Sequence, residues 1–255
     1  MFFWMKVKVG NLTMNIPRDM AWCFADNEYY EKNLVYWFDK IVSDYYIKPV
    51  IYDIGANCGY FTVRYSNCSK WIYSFEPASR TYAVLDKNLR KNKLSNTVAF
   101  KVGVSNKSDA VYMYRYSSSG NNSLFMRNLP SGHPLKLIGR ETVQLVVLDD
   151  FIKTGDLLIP DIMKIDVEGA ELFVLQGAKE TISLYRPTIL LECGECTCHD
   201  AGYEIEDLLN ELRSHNYSVF GLTNDSGDMN IYPENEFTKK EICNIIAVPE
   251  GMHFG

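Results

Sequence analysis

The sequence predicts an α/β fold, with a mostly parallel sheet covered by helices on both faces. Three observations carry that prediction. Short apolar runs at residues 49–54, 71–76 and 98–102 alternate with helix-periodic stretches, the β-α-β rhythm of a parallel sheet with right-handed crossovers. The runs lack polar alternation, as strands buried on both faces do. The first run closes on Asp53-Ile54-Gly55-Ala56-Asn57-Cys58-Gly59. Glycines between a strand and a helix permit backbone angles barred to other residues, and this turn lies at the carboxyl end of a strand, where open α/β sheets bind ligands.

Ahead of that core, residues 3–17 alternate around Gly10-Asn11 and read as a hairpin. Residues 28–46 place Tyr30, Leu34, Trp37, Phe38, Ile41 and Tyr45 at helical spacing. These two elements, within residues 1–47, cap a core spanning 48–255, the whole reading as one domain. A helix follows the glycine turn to about residue 67, and another, at roughly 78–93, keeps Tyr82, Leu85 and Leu89 on one face.

The rhythm breaks at 108–148, where β-like runs at 111–116 and 142–147 flank a loop rich in Ser, Gly and Asn at 117–123. A long loop inside a compact domain is usually functional or mobile, so this segment reads as a β-hairpin insertion with a substrate-facing loop. Strand four, 162–167, runs into Glu168-Gly169-Ala170-Glu171. One helix carries Leu172, Leu175, Ala178, Ile182 and Tyr185, and strand five is 188–192. A helix at 203–215 and strands at 217–220 and 245–248 complete the chain.

A net charge of −6 and a pI near 5.3 argue against broad nucleic-acid or anionic-membrane binding. The N-terminus is too short and too soon charged for a signal peptide. No apolar run reaches the ~18 residues of a membrane span. Seven unevenly spread cysteines do not form a disulfide framework. The expectation is a soluble, cytoplasmic chain with reduced thiols and no membrane insertion.

The glycine turn also points to a ligand. A dinucleotide fingerprint opens with glycine and seats a pyrophosphate on the helix N-terminus; here Asp53 places an anion at that position. Asp53-x-Gly55-x-Asn57-x-Gly59 suits a cationic, phosphate-free ligand with an amino-acid end and a ribose, such as S-adenosylmethionine. Glu76, twenty-one residues past Gly55, stands where a carboxylate accepts ribose hydroxyls.

Asp166 and Glu168, two apart, would share a face if strand four continued through them. With strand four beside strand one, that face looks into the cofactor cleft. Methyl transfer from a sulfonium is an in-line displacement whose attacking oxygen loses a proton, and a carboxylate or histidine can take it. Asp166 is the first candidate for base or for orienting the acceptor. Glu168 either assists or anchors the next helix against Lys164 or an arginine. The pair could also hold a divalent metal, which two oxygen ligands alone do not establish. His133, in the irregular loop, is a third candidate base or an exposed loop histidine. Cys193, Cys196, Cys198 and His199 have soft-ligand chemistry without a second Cys-x-x-Cys, so they are zinc ligands or ordinary thiols.

With these motifs in hand, the chain resembles the FkbM family of S-adenosylmethionine-dependent methyltransferases. The matching strings are Asp53-Ile-Gly-Ala-Asn-Cys-Gly-Tyr60, Phe75-Glu76-Pro77, Val102-Gly-Val-Ser-Asn106, Leu148-Asp-Asp-Phe151, Lys164-Ile-Asp-Val-Glu-Gly-Ala-Glu171 and Arg186-Pro-Thr-Ile-Leu-Leu-Glu192. They occur in family order over about residues 26–250, and Lys164–Glu171 is the most specific. The resemblance implies a seven-stranded, Rossmann-like class I methyltransferase sheet whose last strand is antiparallel. It also implies O-methylation of a hydroxyl on a sugar, glycan, polyketide or similar metabolite. Asp53, Gly55, Asn57 and Gly59 would then meet the methionine end, Glu76 the ribose, and Val104 and Ser105 the adenine side. The chain departs from the family pattern at Asn106, where Asp is frequent, and at Cys58, where a small aliphatic residue is frequent.

Two rivals remain: a Rossmann oxidoreductase, disfavoured by Asp53, and a non-catalytic metal module built on Cys193–His199. A nucleic-acid base methyltransferase is disfavoured because the chain has no Asn/Asp-Pro-Pro-aromatic tetrapeptide.

Overall fold

The computed structural model of the chain describes residues 4–24, 31–223 and 229–252. Strands β1 (Trp4–Val9) and β2 (Leu12–Pro17) form the expected hairpin, paired from Trp4↔Pro17 to Val9↔Leu12. It turns at Gly10, whose φ of 57° is glycine territory. A 3-10 turn (Arg18–Phe24) and helix α1 (Lys32–Tyr45) follow. Helix α1 buries Leu34, Trp37, Phe38 and Ile41. The first residues expected in this helix, 28–30, lie outside the described residues.

The core then runs β3 (Val50–Ile54), α2 (Tyr60–Tyr65), β4 (Trp71–Phe75), α3 (Ser79–Lys91) and β5 (Thr97–Phe100). Next come β6 (Gly103–Ser105), β7 (Asp109–Tyr116), β8 (Leu137–Val147), α4 (Leu148–Gly155) and β9 (Ile162–Ile165). The C-terminal part is α5 (Glu171–Gly177), α6 (Lys179–Tyr185), β10 (Thr188–Glu192), α7 (Glu195–Asp200), α8 (Ile205–Ser214), β11 (Tyr217–Thr223), β12 (Tyr232–Pro233) and β13 (Ile242–Pro249).

The main sheet has the order β12-β11-β13-β10-β9-β3-β4-β5. Strands β5, β4, β3, β9 and β10 are mutually parallel, and β13 runs antiparallel to both β10 and β11. The sheet has eight strands where seven were expected, because the two-residue β12 adds to its edge against β11. From β3 the chain steps one way to β4 and β5, then returns to lay β9 on the other side. The crevice at this reversal of strand order is where such sheets bind ligands.

Alternation along the strands divides the core. Val50, Tyr52 and Ile54 join the cluster under α4, α5, α6 and α8, while Ile51 faces the cluster under α1, α2 and α3. Asp53 shares the Ile51 side.

The expected hairpin insertion is present, β7 pairing antiparallel with β8, and β6 joins it on β8 to make a three-stranded sheet separate from the main one. One local expectation is corrected. The single helix expected over Leu172–Tyr185 is two, broken at Ala178. Helix α5 ends at Gly177, where a Cβ would lie 2.1 Å from the Ser105 carbonyl oxygen. Only glycine lets the helix approach β6 that closely.

Asn88, fully buried on α3, ties the hairpin to the core. Its Nδ2 donates to the Asn15 and Cys58 carbonyls, both at 2.8 Å, and its Oδ1 accepts from Asn15 N at 2.7 Å. Asn88→Ala orphans these buried groups and is expected to lower stability by about 3 kcal/mol in urea unfolding. A loss below about 1 kcal/mol would contradict this tethering role.

Candidate active site

The glycine turn is shaped by what surrounds it. Gly55 (φ 82°) lies so close to β9 that a Cβ would sit 1.7 Å from the Asp166 carbonyl oxygen. The amides of Gly55 and Ala56 both donate to the Phe75 carbonyl, at 2.9 and 3.0 Å, folding the turn over β4. Gly59 (φ 87°) opens α2 against Leu85. Beyond the turn lies a cleft of about 910 Å³, part of it open to solvent. Gly55, Asn57, Glu76, Val104, Asp166 and Glu168 line it. Asp53, Gly59 and Ser105 lie behind that lining.

Asp53 is the foundation of the turn. It is 1% exposed, and its Oδ2 accepts from Thr62 N at 3.1 Å and Thr62 Oγ1 at 2.6 Å. The Thr62 hydroxyl is also 2.7 Å from Ser74 Oγ, so one carboxylate joins β3, α2 and β4. Burial pushes the Asp53 carboxyl up, opposed by Lys164 and by the Thr62 hydrogen bonds. Lys164 is the register partner of Asp53 across β3 and β9. It is 3% exposed, donates to Asp166 Oδ2 at 2.8 Å and lies 4.7 Å over the Phe61 ring. Burial disfavours its charge, yet Asp166 and Asp53 outweigh that cost and hold the ammonium protonated.

Glu76 Oε2 accepts from Asn57 N at 2.9 Å, and its Oε1 from Ala78 N at 2.8 Å and Thr81 Oγ1 at 2.7 Å. Burial nonetheless pushes its carboxyl up to about 7.

Strand β9 stops at Ile165, so Asp166 and Glu168 do not lie on a continuing strand as expected. Glu168 adopts φ 58° and Gly169 φ 107°, which turns the chain sharply. The bend still gathers carboxylates: one oxygen each from Asp166, Glu168 and Glu192 lie within 4.8 Å of one another. Glu168 pairs with Arg127 from the insertion, and its carbonyl accepts from Ser123 Oγ at 2.7 Å. Burial, then the neighbouring Asp166, raises the Glu168 carboxyl against the pull of Arg127. Glu171 braces the bend by accepting from Val167 N, Gly169 N and Tyr203 OH. As a cation site the trio fits poorly, because Lys164 and Arg127 already neutralise two of its three carboxylates.

Other candidates fall outside. His133 is exposed between β7 and β8, away from the cleft lining, and its Nδ1 accepts from Leu135 N at 3.1 Å. Cys193 and Cys198 point into the core while Cys196 and His199 face solvent, because α7 begins at Glu195 and turns alternate side chains apart. Among the described residues the carboxylate trio is the one group gathered closely enough to share a metal. The Cys193–His199 metal reading is therefore corrected. His253 lies outside the described residues. Sequence reasoning missed Met20, Ser119, Gly120 and Leu124 as cleft walls, and Glu192 and Arg127 as charged neighbours. The signals present were the Ser/Gly/Asn-rich loop and an acidic residue ending the strand beside β9.

A parallel sheet reversing between β3 and β9, an antiparallel β13, and a glycine turn facing strand-end carboxylates define a class I methyltransferase fold. The crystal structure of Methyltransferase FkbM from Methylobacillus flagellatus shares it, with a TM-score of 0.51 at 18% identity, over 78% of this chain and 43% of that one. The description "Methyltransferase FkbM domain" matches residues 53–219, and the chain belongs to the FkbM methyltransferase family. It is 29% identical over 144 residues to Methyltransferase 1 of Beauveria bassiana, covering 50% of this chain and 57% of that protein. It is 25% identical over 128 residues to the hexuronic acid methyltransferase AglP of Haloferax volcanii, covering 50% of this chain and 49% of that protein. The chain thus spans about half the length of these two relatives. No helix among the described residues is long and apolar enough to cross a membrane.

Folding raises the Glu76 carboxyl from the usual 4.5 to about 7, so between those values the folded chain keeps a proton that the unfolded chain has lost. The associated stability is complete below pH 4.5 and lost as pH rises through about 7. Urea-derived stability is expected to fall between these two pH values, and to fall less in Glu76→Gln. An equal fall in both proteins would contradict the assignment.

Proposed function

We propose that the chain is an S-adenosylmethionine-dependent O-methyltransferase acting, in the cytoplasm, on a hydroxyl of a sugar, glycan or related metabolite. The observation that carries this reading is the cleft itself. A glycine turn founded on the buried Asp53 faces Glu76 on one side and Asp166 on the other, and among the described lining residues the one cationic side chain, Lys164, is already paired with Asp166 at 2.8 Å. Bound there, S-adenosylmethionine would supply an activated methyl group on a sulfonium. Gly55 and Asn57 would take its methionine end, Glu76 its ribose hydroxyls and Val104 its adenine side. Asp53 would act from below, by holding the turn, and Gly59 and Ser105 by setting its borders.

The acceptor hydroxyl must lose its proton as its oxygen forms the new bond. Asp166, held in place by Lys164, borders the cleft beside the turn, and Glu168 lines the same cleft. Both roles are positional as much as basic, since alignment of donor and acceptor contributes much of the rate. A carbohydrate acceptor is supported by the likeness to a protein named as a hexuronic acid methyltransferase. The acidic chain and the missing base-methylation tetrapeptide speak against nucleic acid as acceptor.

Calorimetric titration tests the reading. Wild type is expected to bind S-adenosylmethionine and S-adenosylhomocysteine in the micromolar range and not NAD. Gly55→Val, forced against the Asp166 carbonyl, should lose both. Binding of NAD instead would establish the oxidoreductase alternative. Asp166→Asn is expected to retain S-adenosylhomocysteine affinity while product release across a panel of sugar and uronate acceptors drops by about a hundredfold or more. Undiminished turnover would remove Asp166 from the mechanism.

A further inference from the structure

We propose that Ser119, carried by the insertion loop, together with the Asn57 amide, forms a second hydrogen-bonding wall for the ribose diol of the bound nucleoside. The proposal rests on the cofactor reading above and adds to it a residue from outside the family strings.

Ser119 lines the cleft, is 5% exposed, and its Oγ has no hydrogen-bond partner. The buried Oδ1 of Asn57, lining the same cleft, has none either. A buried polar atom left unpaired costs stability, so two that border one cleft mark a place where a ligand completes them. Their location identifies the ligand group. The Asn57 backbone N–H donates to Glu76 Oε2 at 2.9 Å, so residue 57 stands next to the carboxylate proposed to take the ribose. Gly120 covers it: a Cβ there would lie 3.5 Å from Met20 Cε and 3.9 Å from Asn57 Nδ2.

The hydrogen-bond count of a vicinal diol closes on these groups. It brings two O–H donors and oxygen lone pairs, whereas the carboxylate of Glu76 only accepts when ionised. One hydroxyl donates to Glu76, the other to Asn57 Oδ1, and the Ser119 O–H donates to a hydroxyl oxygen. Asp19 fixes the wall in place. Its Oδ2 accepts from Ser119 N at 2.8 Å, and its Oδ1 pairs with Arg80 Nη2 at 2.7 Å, on the helix that follows Glu76. Asp19 is thus a positioning residue, clamping the insertion loop to α3 across the cleft.

The test is calorimetry on the full chain with S-adenosylhomocysteine and with 5′-methylthioadenosine, which keeps the ribose and lacks the amino-acid end. Ser119→Ala is expected to weaken both ligands about tenfold, with a Tm equal to or above wild type, because the removed hydroxyl bonds nothing in the free protein. Asp19→Ala should also weaken both, and add little in the Ser119→Ala background. Unchanged affinities, a loss confined to S-adenosylhomocysteine, or a fall in Tm accompanying the loss would each overturn the proposal and leave the cofactor reading standing. Fully additive losses for the two substitutions would also overturn it. Wild type binding neither ligand would overturn both.

Discussion

The structure depends on a buried charge, the ammonium of Lys164, set between Asp53 and Asp166 at the centre of the sheet. Lys164 lies on the strand beside the glycine turn, shielded by the Phe61 ring. Its pairing with Asp166 fixes the carboxylate that borders the cleft, and its proximity to Asp53 opposes part of the cost of burying the acid beneath the turn. Removing one member of such a set leaves an uncompensated charge in the interior, which costs several times the net worth of the pair. The arrangement therefore stabilises a geometry more than it adds to total stability. Thr62 and Ser74 extend it to α2 and β4, so one electrostatic spine links the three elements that frame the ligand cleft.

Around that spine, each layer sets up the next. Apolar strands buried on both faces produce a parallel sheet, and the return of the chain to β9 opens a crevice beside β3. Gly55 can pass under the Asp166 carbonyl only because it has no side chain. The hairpin insertion then closes over the crevice. Ser123 and Arg127 hold the Glu168 bend, while Ser119 and Gly120 face the glycine turn. The insertion thus supplies part of the cleft wall.

Much of this was legible in the chain. Alternation at Lys6–Ile16 gave the hairpin, the apolar runs gave the parallel strands, and Asp53–Gly59 with Glu76 located the cleft. These signals are local, fixed by periodicity and backbone geometry. What escaped reading depends on long-range placement. Asp53 looks like a ligand contact in sequence, yet its side chain turns down to Thr62 because strand alternation puts it on the helix-covered side. Asp166 and Glu168 look like neighbours on a strand, yet they meet because Glu168 and Gly169 take left-handed angles. Arg127 and Glu192 reach the site from elements far along the chain, and no spacing rule predicts their convergence. His133 and the Cys193–His199 string carry reactive chemistry, but the loop and α7 turn them away from one another and from the cleft.

The most direct measurement is a crystal structure of the chain with S-adenosylhomocysteine. The account predicts the ligand in the cleft between Gly55 and the insertion loop, with its ribose on Glu76, its sulfur toward Asp166, and the Lys164–Asp166 pair intact. A ligand bound elsewhere, or one seated only after Lys164 releases Asp166, would contradict it.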